Sequence, residues 1–159
     1  MQVFSFDAFC MKINDLKLSE KTVGLCHGCF DVLHLGHIRH FKFAKTQCDY
    51  LFVSVTADRF VNKGPNRPLF HDYERAEIIS SLHVVSGVVI NETATSMELL
   101  RNARPTIFFK GQEYLENALA VNPNFIQEKG LALELGIDVQ FTLEEVFSSS
   151  EIISRLMAT

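Results

Sequence analysis

Residues Val23 to His27 form a mostly apolar, strand-like run. Gly28-Cys29-Phe30-Asp31-Val32-Leu33-His34-Leu35-Gly36-His37 then leads into a helical pattern. The order is strand, glycine turn, helix start. An α/β chain binds phosphate at such a place, because the first amides of a helix lack internal partners and its dipole favours an anion. His34 and His37 are three residues apart, so their imidazoles lie on one side of one helical turn. Gly36 between them has no side chain, which lets a bulky ligand approach the backbone. Two imidazoles at the mouth of a phosphate site suit the stabilisation of charge on a transferring phosphoryl group.

The chain has 159 residues, 47% hydrophobic and 21% charged, which is the size and composition of one ordinary globular domain. A net charge of −4 offers no basic footprint for nucleic acid. A local cluster of Lys, Arg and His still suffices for a nucleotide. No apolar run is long enough to span a bilayer. The segment Met1-Gln2-Val3-Phe4-Ser5-Phe6-Asp7 lacks the positive start and apolar core of a signal peptide. The expectation is a cytoplasmic protein with no membrane partner, its four cysteines (Cys10, Cys26, Cys29, Cys48) reduced.

Residues 1–21 read as a mixed N-terminal leader, in which Lys12 to Leu18 is weakly amphipathic and suits a strand or a short helix. Residues 22–159 read as the domain proper. Its expected strands are Val23–His27, Tyr50–Val55, Val84–Ile90 (interrupted by Gly87), Thr106–Phe109 and Ile137–Thr142. The expected helices are Gly36–Thr46, Asp72–Leu82 with Asp72 as cap, Ser96–Ala103, Phe125–Leu135 stopped by Gly136, and Ser149–Met157. Lys63-Gly64-Pro65-Asn66-Arg67-Pro68 reads as a loop, and Glu113 to Asn124 is ambiguous. Strands and helices alternating at this spacing predict a Rossmann-like, doubly wound parallel sheet of about five strands in a single α/β domain. Ligands of such sheets sit beyond the carboxyl ends of the strands. The Gly28 turn, the loop after Val55, Lys110-Gly111 and the Ser148 cluster all follow strands, so they should converge on one sheet edge.

The run from Gly28 to His37 resembles the signature of the cytidylyltransferase-like nucleotidyltransferases, which carry a His-x-Gly-His motif. The resemblance continues through Lys63-Gly64-Pro65-Asn66-Arg67-Pro68, Glu74-Arg75-Ala76, Lys110-Gly111-Gln112-Glu113-Tyr114 and Phe147-Ser148-Ser149-Ser150-Glu151-Ile152-Ile153. It covers residues 23 to about 156. Within that family, order and spacing are most similar to the heptose 1-phosphate adenylyltransferases and less so to the glycerol-3-phosphate cytidylyltransferases. The resemblance implies that the phosphate of a sugar or polyol phosphate attacks the α-phosphorus of a nucleoside triphosphate, with Mg2+ as cofactor, and that pyrophosphate leaves. Such a reaction needs positioning and charge stabilisation rather than a protein nucleophile or a strong base.

The resemblance also implies roles for particular residues. His34 and His37 contact the triphosphate; a capping or surface histidine is the plainer reading of either alone. Gly28, Cys29, Phe30 and Asp31 form the turn against the nucleotide. Asp31 either lies near the phosphates or metal, or shapes the turn as a cap. Lys63 closes over the phosphates or is an ordinary solvated lysine. Arg67 and Arg75 hold the acceptor phosphate, since guanidinium suits oxyanions; Arg67 can instead simply pin its loop. Lys110 and Gly111 read the base and ribose through backbone groups or form a plain strand-end turn. Ser148, Ser149 and Ser150 offer a second anion site or a redundant helix cap. Family members often carry threonines there, and the cytidylyl members place an arginine a few residues earlier. This chain has Thr142-Leu143-Glu144-Glu145-Val146 instead, which leaves ATP against CTP open.

Cys26-x-x-Cys29 with three nearby histidines is a rival zinc or redox signal. It is weakened by the lack of a second cysteine pair and by the place of Cys26 in an apolar strand, so no metal ligand is assigned to the protein. A non-catalytic nucleotide-binding module, and the same chemistry on a phosphonate, pantetheine phosphate or flavin mononucleotide, are the alternative functions. The resemblance further suggests a homodimer. The kinase portion often fused to the heptose-type enzymes is not seen here, so a kinase step is expected from a separate protein.

Overall fold

The computed structural model of the chain describes residues 2–115, 122–143 and 149–157, with only the backbone of Ser149 and Met157. Its strands are β1 (Val3–Phe4), β2 (Val23–Gly28), β3 (Tyr50–Thr56), β4 (Gly87–Asn91), β5 (Ile107–Gly111) and β6 (Asp138–Thr142). Its helices are α1 (Phe6–Leu18), α2 (Leu35–Thr46), α3 (Asp72–Ser80), α4 (Met97–Ala103), α5 (Phe125–Glu134) and α6 (Ser149–Met157), with a 3₁₀ turn over Asp58–Phe60. The strands make one sheet in the order β1-β4-β3-β2-β5-β6. Every pair is parallel. From β2 the chain winds outward through β3 and β4, then returns to add β5 and β6 on the other side. The strand order therefore reverses between β2 and β5, and doubly wound sheets open their ligand crevice at such a point.

Alternate side chains of a strand face opposite sides of the sheet. Leu25, Phe52 and Phe108 pack on one side with Phe9 and Ile13 of α1, Leu99 and Leu100 of α4, and Phe125 and Ala132 of α5. Their neighbours Cys26, Val53 and Phe109 pack on the other with Phe41 and Ala44 of α2 and Ala76 and Ile79 of α3. Both faces are thus covered, which is why these strands read as near-continuous apolar runs.

The sheet has one more strand than the sequence predicts. β1 has only two residues, too few to show a period. It pairs with β4 at Val3↔Val88 and Phe4↔Val89. Phe4 packs so closely on Gly87 that a Cβ there would collide with its ring. Gly87 accordingly opens β4 rather than interrupting it. The weakly amphipathic Lys12–Leu18 is the second half of α1. That helix starts at Ser5, whose hydroxyl accepts from Ala8 N–H at 3.4 Å, and its side chains Phe9 and Ile13 are fully buried. The cap of α3 is His71 rather than Asp72; Glu74 Oε2 accepts from His71 N–H at 2.8 Å. No helix among the described residues is long and apolar enough to cross a membrane.

Because Ile13 is fully buried against the sheet, Ile13→Ala should cost about 2–5 kcal/mol of unfolding free energy, the range for deleting a large buried aliphatic side chain. Urea denaturation of the two proteins measures it. A loss below about 0.5 kcal/mol, typical of surface changes, would show that α1 is not part of the cooperative unit.

Candidate active site

The carboxyl ends of β2, β3, β5 and β6 border one cleft of about 470 Å3. His27 and Gly28 come from β2, Thr56 from β3, Lys110 and Gly111 from β5, and Thr142 from β6. Cys29, Phe30, His34, Gly36 and His37 of the turn and α2 line the same space, as does Lys63 from the 61–66 loop. The structure thus brings together most of the residues singled out in sequence.

His34 occupies the N-cap position of α2 in extended conformation (φ −140, ψ 174), and its carbonyl accepts from Ile38 N–H. His37 lies one turn on. The two rings stack at 3.7 Å between centroids, inclined by 22°. Phe30 supports His37 edge-on at 5.3 Å, from a left-handed backbone conformation (φ 50) that a non-glycine residue adopts at a cost. His37 Nδ1 is buried and has no hydrogen-bond partner among the described residues. His40 follows one turn later, its Nδ1 2.7 Å from Thr142 Oγ1. The i, i+3, i+6 spacing 34-37-40 carried that third imidazole, and the sequence reading passed it over. His27, noted in sequence only as part of the rival zinc signal, has its Nδ1 3.1 Å from Ser54 Oγ.

Asp31 turns away from the start of α2 and toward the 67–70 loop. It is 1% exposed. Its carboxylate accepts from Arg67 Nε at 2.5 Å, from Leu69 N–H at 2.7 Å and from Phe70 N–H at 3.2 Å. It therefore fixes the 67–70 loop against the turn that follows β2. Arg67 pins the same loop, and its Nη1 donates to Ser150 Oγ at 3.2 Å. The acceptor role expected of Arg75 does not fit its placement. Arg75 is 1% exposed, with Nε on Phe70 O, Nη1 on Cys29 O, and Nη2 on Thr56 O and Asp58 Oδ1. Every nitrogen of its guanidinium is committed to holding three loops together. Asp58, which had no signal in sequence, completes this lattice and also meets His71 Nδ1 at 2.9 Å.

Lys110 is the penultimate residue of β5 at the cleft, but its side chain turns inward and is 2% exposed. Gly111 beside it leaves room for the Glu113 carboxylate, which a Cβ there would displace. Ser150 is exposed at the start of α6, and Ser148 lies outside the described residues. Cys26 is fully buried in the α2/α3 cluster, where its thiol is pushed well up by desolvation. It packs rather than ligates. Among the described residues no group of three His, Cys, Asp or Glu side chains is placed to hold a metal ion.

A family model described as cytidylyltransferase-like matches residues 25–155, which include every element lining the cleft. The chain belongs to the cytidylyltransferase-like family. Its relatives include the bifunctional protein HldE of Campylobacter jejuni strain RM1221, 35% identical over 143 residues, 89% of this chain and 29% of that protein. The bifunctional protein HldE of Hyphomonas neptunium is 32% identical over 126 residues, 78% of this chain and 26% of that protein. The chain thus spans between 26% and 29% of the length of these two relatives. The lipopolysaccharide core biosynthesis protein from Thermoplasma volcanium GSS1 has a similar structure, with a TM-score of 0.65 at 25% identity, covering 79% of this chain and 99% of that one. Pantoate-beta-alanine ligase from Francisella tularensis shares the fold at a TM-score of 0.64 and 16% identity, over 94% of this chain and 69% of that one.

In this cytidylyltransferase-like site the cleft histidines are held neutral. Burial, and then the neighbouring titratable groups His34, His40 and Lys63, push His37 down to about 3. Burial and Lys110 push His27 and His40 down to about 4. His34 is lowered in the same sense by burial and then Lys63. A neutral imidazole keeps one N–H donor and one acceptor, whereas a bound polyanion would favour the charged form.

These shifts fix a sign. A histidine whose folded value lies below its unfolded 6.5 contributes stability that is complete above about pH 6.5 and is lost as pH falls toward its folded value. The urea midpoint should therefore drop as pH falls from 6.5 toward 4. His71 is shifted upward by its bond to Asp58. That opposes the trend, but the residue is exposed and the pair is screened. A midpoint that rises on acidification across this window would contradict neutral burial of His27, His37 and His40.

Proposed function

We propose that the chain transfers a nucleoside monophosphate, AMP or CMP, from its triphosphate to a sugar phosphate or polyol phosphate. The carrying observation is the stacked, neutral His34–His37 pair at the start of α2, facing a cleft that Lys63 also lines. Donors preorganised at a helix N-terminus stabilise developing phosphoryl charge without reorganising.

In this reading the acceptor phosphate oxygen forms a bond to the α-phosphorus. The bond from that phosphorus to the α–β bridging oxygen breaks, and pyrophosphate leaves with the electron pair. The acceptor is already anionic, so none of the cleft histidines has to abstract a proton. The imidazole N–H groups of His34 and His37 donate to the phosphoryl oxygens. Lys63, at the tip of an exposed loop, moves onto the triphosphate as it enters. The 28–31 turn presents backbone groups to the nucleotide, and Lys110-Gly111 borders the base end.

Among the described residues no carboxylate cage forms, which suits Mg2+ that arrives on the triphosphate, since Mg2+ in nucleotide sites is held largely by phosphate oxygens and water. When bound it neutralises phosphate charge. A sugar phosphate acceptor, destined for a surface polysaccharide, is favoured by the likeness to the lipopolysaccharide core biosynthesis protein and by the run of HldE relatives.

The test is pyrophosphate release with Mg2+, crossing ATP, CTP, GTP and UTP against a panel of sugar, heptose and polyol phosphates. Acceptor-dependent release with ATP or CTP is the expected result. Nucleotide binding without release for any acceptor would overturn the catalytic reading in favour of a binding module. With an active pair in hand, His37→Ala should lower kcat on the order of 10²–10³-fold, as loss of one oxyanion donor does. Unchanged turnover in a folded His37→Ala protein would remove that residue from the mechanism.

A further inference from the structure

β2 and β5 stop pairing partway. Their register runs Gly24↔Ile107, Leu25↔Phe108 and Cys26↔Phe109 and ends there. β2 continues with its other neighbour to Gly28↔Val55, and β5 with its own to Gly111↔Thr142. The two central strands therefore splay at the next position, His27 beside Lys110, where the strand order reverses and the cleft opens. The Lys110 ammonium reaches across that splay and donates to the His27 carbonyl at 3.4 Å. A side-chain donor stands where the backbone ladder has ceased.

The ammonium is held by unusual surroundings. Glu128 of α5 is fully buried, with Oε2 3.6 Å from Lys110 Nζ and Oε1 accepting from Ser96 N–H at 2.8 Å. The rings of Phe108, Tyr114 and Phe125 surround the same ammonium at 5.0, 4.9 and 5.5 Å. A buried ion pair is a poor stabiliser, because an apolar pair of similar volume is commonly as stable or more so. An apolar pair cannot hold a donor across the gap between two strands. Glu128 supplies the charge that keeps the ammonium buried. Through Ser96 it also ties the start of α4 to the same point.

We propose that Lys110 and Glu128 are a positioning pair that sets the width of the crevice between β2 and β5, and with it the grip on the nucleotide. This rests on the reading of that crevice as the nucleotide site. Lys110 acts through the His27 carbonyl, directly before Gly28, so it governs the placement of the phosphate turn. Glu128 acts through Lys110.

Two variants separate positioning from folding. Glu128→Gln keeps an acceptor for Ser96 and removes the charge. Lys110→Met with Glu128→Gln removes both charges, which should restore the thermal midpoint but leaves no donor for His27. Calorimetric titration with Mg·ATP and Mg·CTP reads the grip directly. For the nucleotide the wild-type chain binds, Kd should rise by about tenfold in both variants, including the double variant with its restored midpoint. In turnover the loss should appear in KM for the nucleotide, with kcat changed by less than about threefold. Wild-type affinity in the double variant would overturn the proposal and leave the pair a packing feature. An equal fall in kcat and kcat/KM would also overturn it.

Amide hydrogen exchange needs no ligand. His27, Gly28 and Cys29 should exchange faster in the double variant while Leu51 to Val53 of β3 stay protected. Unchanged exchange at 27–29 overturns the pair's role even if the chain binds neither nucleotide. The latter result, by contrast, would count against the functional reading alone.

Discussion

The site depends on two buried charges beneath the turn that follows β2. The Asp31 carboxylate and the Arg75 guanidinium are each about 1% exposed, and each is fully engaged. Asp31 draws the 67–70 loop onto the turn. Arg75 clamps that loop to Cys29 and to the end of β3. A buried charge left without its partners costs several kcal/mol, so neither loop can move far alone. Phe30 can hold its left-handed conformation only because its surroundings are fixed in this way. The two charges thus hold the turn after β2, the end of β3 and the 67–70 loop to one another.

Around this lattice the site concentrates what the whole chain lacks. The net charge is −4, yet one cleft collects His27, His34, His37, His40, Lys63 and Lys110. Local placement, not net charge, decides which ligand a surface attracts. The same crowding depresses the histidines, since burial and neighbouring cations both oppose protonation. The cleft therefore carries donors rather than a full set of fixed charges. In the function we propose, an incoming triphosphate supplies the anion that makes a cationic surrounding favourable.

Much of the site was legible in sequence because it is local. The strand, turn and helix from Val23 to Thr46 are contiguous, and their chemistry follows from helix termini and spacing. The sheet was legible because buried parallel strands leave uninterrupted apolar runs. What escaped was non-local. β1 is too short to show periodicity, and α1 buries Phe9 and Ile13 from a sequence whose amphipathic signal is weak. Arg75 looked like a phosphate ligand because guanidinium suits oxyanions; its carbonyl partners on three separate loops exist only in the fold. Glu128 sits in a helix pattern where a carboxylate reads as a solvated charge, and nothing nearby in sequence points to Lys110. Ser5 did offer a signal, as a cap ahead of an i, i+4 apolar pair.

The central claim is that a nucleoside triphosphate enters the crevice between β2 and β5 and places its phosphates on the histidine pair. Long-range 1H–15N spectra of the imidazoles, recorded as Mg·ATP or Mg·CTP is added, test it most directly. The ring nitrogens of His34 and His37 should shift saturably, with His71 and His83 outside the cleft unmoved. Saturable binding that leaves His34 and His37 unshifted would contradict it.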